Sequence, residues 1–191
     1  MLLSSLSLYR TKRLWNLRTW RICRPDRLWS YHLIMVWLLI ASASTPAYAG
    51  LKVGQTAPEF TLPDLKGKKH SLSELRKQGH VLLVFWAIEC VYCYAHIKDY
   101  KAIYNNYHGK GLKKGVTIAA INIGGEYPED VAEYVKDNAL PYLTLVSRLD
   151  NLDVSDAYNA IVTPTMVLIS PAGKVVYYGY DIPNISSLIT K

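Results

Sequence analysis

Two cysteines, Cys90 and Cys93, are the residues of this 191-residue chain best suited to covalent chemistry. A pair with this spacing can form a disulfide and exchange it with a second protein through a mixed disulfide. The pair follows the apolar run 81–86 and precedes a helix-like stretch that extends to Tyr107. At such a strand-to-helix junction, free backbone N–H groups and the helix dipole favour a thiolate. The sequence therefore predicts a redox-active site at this junction.

Other roles for the two cysteines have less support. A purely structural disulfide would close a very small loop and would remove little entropy from the unfolded chain. A tetrahedral zinc site needs about four ligands, and neither a second pair of cysteines nor paired histidines follows. Haem attachment requires a histidine directly after the second cysteine, where this chain has Tyr94. We expect no metal ion and no other cofactor.

The first 49 residues have the features of an export signal. Residues 10–27 carry seven lysines and arginines, the apolar run 33–41 follows, and small residues lead to Ala49. A basic region, a short apolar core and an A-x-A site are typical of a secretory signal that is cleaved, here after Ala49. The alternative is an uncleaved membrane anchor. The length of the apolar run argues against it, because the run is shorter than the roughly 20 residues that span a bilayer. The predicted organisation is a signal segment over 1–49 and one domain over 50–191.

The charge of the chain belongs mostly to that segment. Residues 1–49 supply seven of the 22 basic residues and one of the 15 acidic residues, so residues 50–191 carry +1 of the total +7. The short basic clusters at 66–69 and 113–114 lack interleaved aromatic residues, and we expect no nucleic-acid partner. An exported protein works in an oxidising periplasm or a similar extracytoplasmic space. There the two cysteines form a disulfide unless a donor reduces them.

The rest of the sequence predicts alternating strands and helices. Apolar runs at 81–86 and 116–123 predict strands buried on both faces. Apolar residues at helical spacing predict a helix from Cys93 to about His108, and Pro128 opens another that reaches about Asn138. Shorter strands are predicted at 60–62, 69–71, 142–146, 165–169 and 174–178, and shorter helices at 71–76, 154–158 and 185–189. This order predicts an α/β fold with a central mixed β-sheet, helices on both faces and an N-terminal β-hairpin.

Four segments of the sequence resemble the TlpA/ResA branch of the thioredoxin superfamily, which is related to AhpC/TSA proteins. The segments are 53–60, Phe85-Trp86-Ala87 before the cysteines, 162–165 with its Thr163-Pro164 pair, and 170–175. The resemblance covers nearly all of residues 50–191. It implies a thioredoxin fold with an N-terminal hairpin extension and an insertion around residues 124–146. It also implies a cis peptide bond before Pro164, with that loop facing the disulfide.

The resemblance further implies an exported thiol-disulfide oxidoreductase. Cys90 is then the attacking thiolate, and Cys93 is the buried thiol that resolves the mixed disulfide. Thr163 and Pro164 position the partner, and Trp86 either supports the motif or is a plain core aromatic. The implied substrates are disulfide-bearing extracytoplasmic proteins, such as apocytochrome c or a copper-site assembly factor. A membrane thiol carrier would return the cysteines to the reduced state.

Three positions depart from the wider family. Val84 stands where cytosolic thioredoxins place an aspartate, His96 where ResA-like proteins often carry a glutamate, and Glu89 where tryptophan is usual. Glu89 opposes a thiolate on Cys90 and a His96 imidazolium favours it, so the sequence leaves the reduction potential open. His96 is either a proton shuttle or a solvated helix residue. Glu126 either faces the active site or is the N-terminal acid of a helix.

Three other functions are compatible with parts of the sequence. A DsbA-like oxidant or isomerase would use the same residues at a different reduction potential. A thiol peroxidase of the peroxiredoxin type shares the opening 57–60, but it needs threonine and proline where Ala87 and Leu83 stand. A non-catalytic binding module would not require both cysteines together with Thr163 and Pro164.

Overall fold

A computed structural model of the chain describes residues 51–146 and 150–190, except for the side chain of Leu112. The predicted signal segment, 1–49, lies outside these residues. Within the part of the chain that is described, no helix is both long enough and apolar enough to cross a lipid bilayer.

The elements alternate along the chain, as the sequence predicts. The first part holds a hairpin of β1 (Thr61–Pro63) and β2 (Lys69–Ser71), then α1 (Leu72–Leu75) and a 3-10 turn, Arg76–Gln78. The middle part holds β3 (His80–Trp86), α2 (Val91–Ala95), α3 (Ile97–Tyr107), α4 (Gly111–Lys114) and β4 (Val116–Asn122). The last part holds α5 (Pro128–Asp137), β5 (Leu143–Leu145), α6 (Asp150–Ala157), β6 (Thr165–Ile169), β7 (Val175–Gly179) and α7 (Ile185–Ile189).

The central sheet is mixed, with the strand order β5-β4-β3-β6-β7, and the β1-β2 hairpin is separate from it. Strand β3 runs parallel to β4 and antiparallel to β6. Two loops therefore leave the sheet at the edge where β3 and β4 end, and the loop that leads into β6 arrives at the same edge. Both the predicted mixed sheet and the predicted N-terminal hairpin are confirmed.

Strand β3 is buried on both faces, which explains its uninterrupted apolar sequence. Because side chains alternate along a strand, Leu83 and Phe85 enter one core with the hairpin and α1, whereas Leu82 and Val84 enter the other with α2 and α3. Burying one such side chain stabilises the fold by about 1.5–3 kcal/mol. A polar residue on either face of β3 would forfeit that contribution.

The N-terminal extension closes the first of these cores. The N–H of Val175 donates to the carbonyl of Gln55 at 2.9 Å, and the N–H of Ala57 donates to the carbonyl of Gly173, also at 2.9 Å. The hydroxyl of Tyr158 donates to the carbonyl of Pro58 at 2.6 Å. These contacts attach the extension to the edge strand β7 and to the segment after α6, so it is part of the same core.

The helix expected from Cys93 onward differs from the observed one in two ways. It begins earlier, at Val91, because the sulfur of Cys90 serves as the N-cap and accepts the N–H of Cys93. Cysteine is not among the usual capping residues, so the sequence rules do not mark this start. It is also divided at His96, whose backbone adopts φ −88° and ψ 1°. The four-residue helix α4 was not predicted, since it is too short to show a periodic pattern.

Candidate active site

Cys90 and Cys93 form a disulfide at the start of α2, with their Cα atoms 5.2 Å apart. The N–H of Cys93 donates to the sulfur of Cys90 at 3.1 Å. Cys90 is half-buried, whereas Cys93 is only 4% exposed. The pair is thus placed as the sequence predicts, with one cysteine accessible at the end of a helix and the other beneath it.

The loop before β6 lies at the same edge of the sheet. The Thr163–Pro164 peptide bond is cis, as predicted. Thr165, the next residue, opens β6 and pairs with Phe85 of β3. Its hydroxyl donates to the carbonyl of Val162 at 2.6 Å and so stabilises the turn of this loop. Because Phe85 is only five residues before Cys90, the structure brings the cis-proline loop and the cysteines to one end of the molecule.

Trp86 ends β3 and packs beside the cysteines. Its ring centroid is 5.2 Å from that of Tyr134, and its indole N–H has no hydrogen-bond partner in the described part of the chain. Trp86, Cys93 and Val84 together line a small cavity of about 20 Å³. A cavity of this size can hold about one water molecule. Val84 contributes an apolar side chain to this wall, at the position where cytosolic thioredoxins carry an aspartate.

Two tyrosines, Tyr100 and Tyr142, also line this cavity. Burial raises the pKa of both phenols far above their ordinary value, and the negative charge of Asp99 adds to the effect at Tyr100. Both therefore stay protonated at any physiological pH. Neither can replace the missing aspartate as a base for the Cys93 thiol.

His96 and Glu89, the other predicted supporting residues, lie on more exposed parts of the site. The Nδ1 atom of His96 is 3.1 Å from the carboxylate of Asp99, and its ring lies 6.2 Å from that of Tyr100. Glu89 is exposed on the loop before Cys90. The contacts of His96 thus lie within α3, which supports its interpretation as a helix-surface residue more than as a proton shuttle.

Glu126 contacts the active-site loop, a role that the sequence left open. It precedes α5, whose N-cap is Tyr127. Its Oε1 atom accepts the backbone N–H of Ile88 at 2.7 Å. The Gly124-Gly125-Glu126 segment follows β4, and the parallel pairing of β3 with β4 carries it to the edge where the cysteines lie. That pairing was the available signal, but it does not determine where the carboxylate points.

Exposed apolar side chains stand on the segments that meet at this edge of the sheet, and the sequence did not predict their exposure. They come from α2, from the loop before Pro164 and from the loop after β4, and we call them the apolar rim: Val91, Tyr92, Tyr94, Tyr127, Ile161 and Val162. Exposed apolar side chains gathered at one place mark an interaction surface more often than scattered ones do. Among the described residues, no group of three or more His, Cys, Asp or Glu side chains could hold a metal ion.

The mixed sheet, the disulfide at the start of a helix and the adjacent cis-proline define a thiol-disulfide oxidoreductase of thioredoxin fold. The chain belongs to the AhpC/TSA family, whose model matches residues 53–178. It is 33% identical over 149 residues to the thiol-disulfide oxidoreductase ResA of Geobacillus thermodenitrificans, covering 74% of this chain and 81% of that protein. Identity to the ResA of Bacillus subtilis is also 33%, over 148 residues, or 75% of this chain and 78% of the relative.

Solved structures agree with this assignment. The thioredoxin domain of a thiol-disulfide oxidoreductase from Bacteroides vulgatus superposes with a TM-score of 0.63 at 26% identity, covering 72% of this chain and 95% of that one. The predicted ResA-like resemblance, the thioredoxin fold and the oxidoreductase activity are therefore confirmed.

Proposed function

We propose that this oxidoreductase is exported and reduces disulfides of specific extracytoplasmic proteins. The observation that carries the proposal is the pair of sulfurs at the start of α2, one accessible and one buried. In the reduced protein, the Cys90 thiolate attacks a partner's disulfide, forming a mixed disulfide and releasing one partner thiolate. Cys93 then gives its proton through solvent to the released partner thiolate and attacks the Cys90 sulfur, which breaks the mixed disulfide and releases the second partner thiolate, protonated by water. The partner leaves as a dithiol with two electrons, and the Cys90–Cys93 disulfide remains.

Residues around the sulfurs supply the conditions for this exchange. The N–H of Cys93 stabilises negative charge on Cys90, as does the positive end of the α2 dipole. The apolar rim excludes water from the approaching disulfide and contacts apolar side chains of the partner. Thr163 and Pro164 stand at the edge of this rim, where they position the partner's backbone, and Trp86 supports the loop from below. Glu89 acts on the charge of the site from the loop before Cys90, whereas His96 is a residue of the helix surface.

The protein acts outside the cytoplasm on a defined set of partners. Residues 1–49 serve as an export signal, and residues 50–191 form the working domain. The substrates are proteins such as apocytochrome c or a copper-site assembly factor, and a membrane thiol carrier re-reduces the cysteines. The ResA-like sequence and the basic and apolar pattern of residues 1–49 support this assignment.

The direction of electron flow is tested by the reduction potential of the Cys90–Cys93 pair, equilibrated against glutathione or dithiothreitol. We expect a value near that of thioredoxin, about −270 mV; a value near that of DsbA, about −120 mV, identifies an oxidant instead. Reduction of insulin by the protein, compared with its consumption of hydrogen peroxide, separates the oxidoreductase from a thiol peroxidase.

A further inference from the structure

The carboxylate of Glu126 connects the loop after β4 to the loop that carries Cys90. Its Oε1 atom accepts the N–H of Ile88 at 2.7 Å in a half-buried position, and Ile88 is two residues before Cys90. The acceptor is a side chain 38 residues further along the sequence. A hydrogen bond to an ionised group is shorter and stronger than one between neutral groups. It therefore restrains the loop more than a neutral acceptor would.

Among the described residues, few other hydrogen bonds hold this loop. The carbonyl of Trp86 accepts the N–H of Ile123 at 2.8 Å, which continues the pairing of β3 with β4. The N–H of Cys90 then reaches back to the carbonyl of Ala87 at 3.2 Å. Between these two contacts, and among the described residues, the hydrogen bond from Ile88 to Glu126 joins the middle of the loop to another part of the fold. It thus restrains the segment from which Cys90 enters α2.

Gly124 leaves room for this carboxylate. A Cβ atom built on Gly124 would overlap both oxygens and the carboxyl carbon of Glu126. The second oxygen, Oε2, is buried without a hydrogen-bond partner among the described residues. The side chain is therefore folded back against the backbone of Gly124, and only Oε1 makes the contact with the loop.

An alternative role for Glu126 is to stabilise the N-terminus of α5 through the helix dipole. Glu129 and Asp130 already provide negative charge in the first turn of that helix. Glu126 lies before the N-cap and directs its Oε1 atom at Ile88 instead. The position of its carboxylate is thus accounted for by the active-site loop.

We propose that Glu126 is a positioning residue for disulfide exchange, which holds the Cys90 loop through Ile88 in a space that Gly124 keeps open. The inference rests on the proposed exchange reaction, in which the Cys90 sulfur must meet a partner's disulfide in line. Because one oxygen makes the contact, glutamine at position 126 should replace glutamate, whereas alanine should not.

The test uses the reduced protein and two readouts of Cys90: exchange with oxidised glutathione, and alkylation by iodoacetamide. We expect Glu126→Ala to slow both reactions by about tenfold, because it removes a charge-assisted hydrogen bond. Glu126→Gln should slow them by less than about threefold, because its amide oxygen can still accept the N–H of Ile88. Gly124→Ala, which displaces the carboxylate without removing it, should match Glu126→Ala. The double variant should be no slower than Glu126→Ala alone. Glu129→Ala, an exposed carboxylate in the first turn of α5, is the matched control.

Three results overturn the proposal: rates for Glu126→Ala within about twofold of wild type, glutamine as slow as alanine, or additive losses in the double variant. If Glu126→Ala unfolds, the other two variants still test the proposal: Glu126→Gln should react at close to the wild-type rate, and Gly124→Ala should react about tenfold more slowly. A wild-type protein that alkylates normally but does not exchange disulfides contradicts the proposed function. In that case the alkylation rates of the variants still report on positioning.

Discussion

The backbone N–H of Cys93 donates a hydrogen bond to the sulfur of Cys90 across the first turn of α2, at 3.1 Å. One cysteine therefore caps the helix that contains the other. The capping sulfur lies at the positive end of the helix dipole, where a thiolate is favoured. The buried position of Cys93 keeps it from competing for the partner's disulfide.

This arrangement predicts different consequences for the two cysteines. Cys93→Ser should accumulate a mixed disulfide between Cys90 and a protein substrate, because nothing remains to attack that bond. Cys90→Ser should capture no partner. Mass spectrometry of the protein under non-reducing conditions, after mixing with oxidised insulin, measures both. Covalent capture by Cys90→Ser but not by Cys93→Ser would show that Cys93 is the attacking cysteine, which contradicts the prediction.

The apolar rim should affect protein substrates and not small ones. Ile161→Ser removes a 74% exposed side chain beside the cis-proline loop, outside the cysteine motif. We expect kcat/KM for insulin reduction to fall about threefold to tenfold, since a few residues usually account for most of a binding interface, with exchange against oxidised glutathione unchanged. Val53→Ser, 63% exposed on the N-terminal extension, is the control. Equal effects of the two substitutions on insulin reduction would contradict a docking role for the rim.

His96→Ala should leave the pH profile of disulfide exchange unchanged, because the contacts of His96 lie on α3 with Asp99 and Tyr100. Loss of an exposed ion pair changes stability by less than about 1 kcal/mol. The measurement is the rate of exchange with oxidised glutathione from pH 5 to pH 9. If one limb of the profile disappears in the variant, His96 does transfer a proton in the reaction.

Buried tyrosines predict a loss of stability in alkaline solution. Burial raises the pKa of Tyr100, Tyr142 and Tyr158 above the ordinary value of 10.0. Above that pH the unfolded chain loses these protons while the folded protein retains them, so the free energy of unfolding falls as pH rises. The slope is up to about 1.4 kcal/mol per pH unit for each tyrosine.

Tyr100→Phe should therefore flatten the decline of stability above pH 10. Urea unfolding at pH 8, 10 and 11 measures the slope, and Tyr180→Phe, an exposed tyrosine, serves as the control. Equal slopes in wild type and Tyr100→Phe would show that the Tyr100 phenol is not held in its protonated form by burial.

Val84→Asp introduces the carboxylate that cytosolic thioredoxins carry at this position, and we expect it to destabilise the fold. Val84 is buried beside a cavity that it shares with Cys93, and a carboxylate there would lose its hydration. We expect a loss of more than about 2 kcal/mol at pH 7, decreasing as the pH is lowered and the aspartate is protonated. Val84→Thr, which replaces one methyl group with an uncharged hydroxyl at similar size, is the control. Urea unfolding of Val84→Asp at pH 7 that matches wild type would contradict the apolar character of this site.

Local patterns in the sequence were sufficient for much of the fold. The run from Val81 to Trp86 predicts a strand buried on both faces, and the short helix predicted over 71–76 is α1, which the structure shows capped by Ser71 with Glu74. The helix after the cysteines is the informative failure. Its start is capped by the sulfur of Cys90, which is not a usual capping group. No proline or glycine marks its interruption at His96, so neither boundary has a sequence signal.

The sequence by itself determined that two cysteines stand at a strand-to-helix junction and that a Thr-Pro pair directly precedes a later strand, because spacing and apolar periodicity are local properties. Only the tertiary structure decided that Glu126 contacts Ile88, that Val84 and Tyr100 line a cavity with Cys93, and that Ile161 and Val91 are exposed. These contacts join loops from three strands. Their geometry depends on the register and direction of β3, β4 and β6, which no single segment of the sequence encodes.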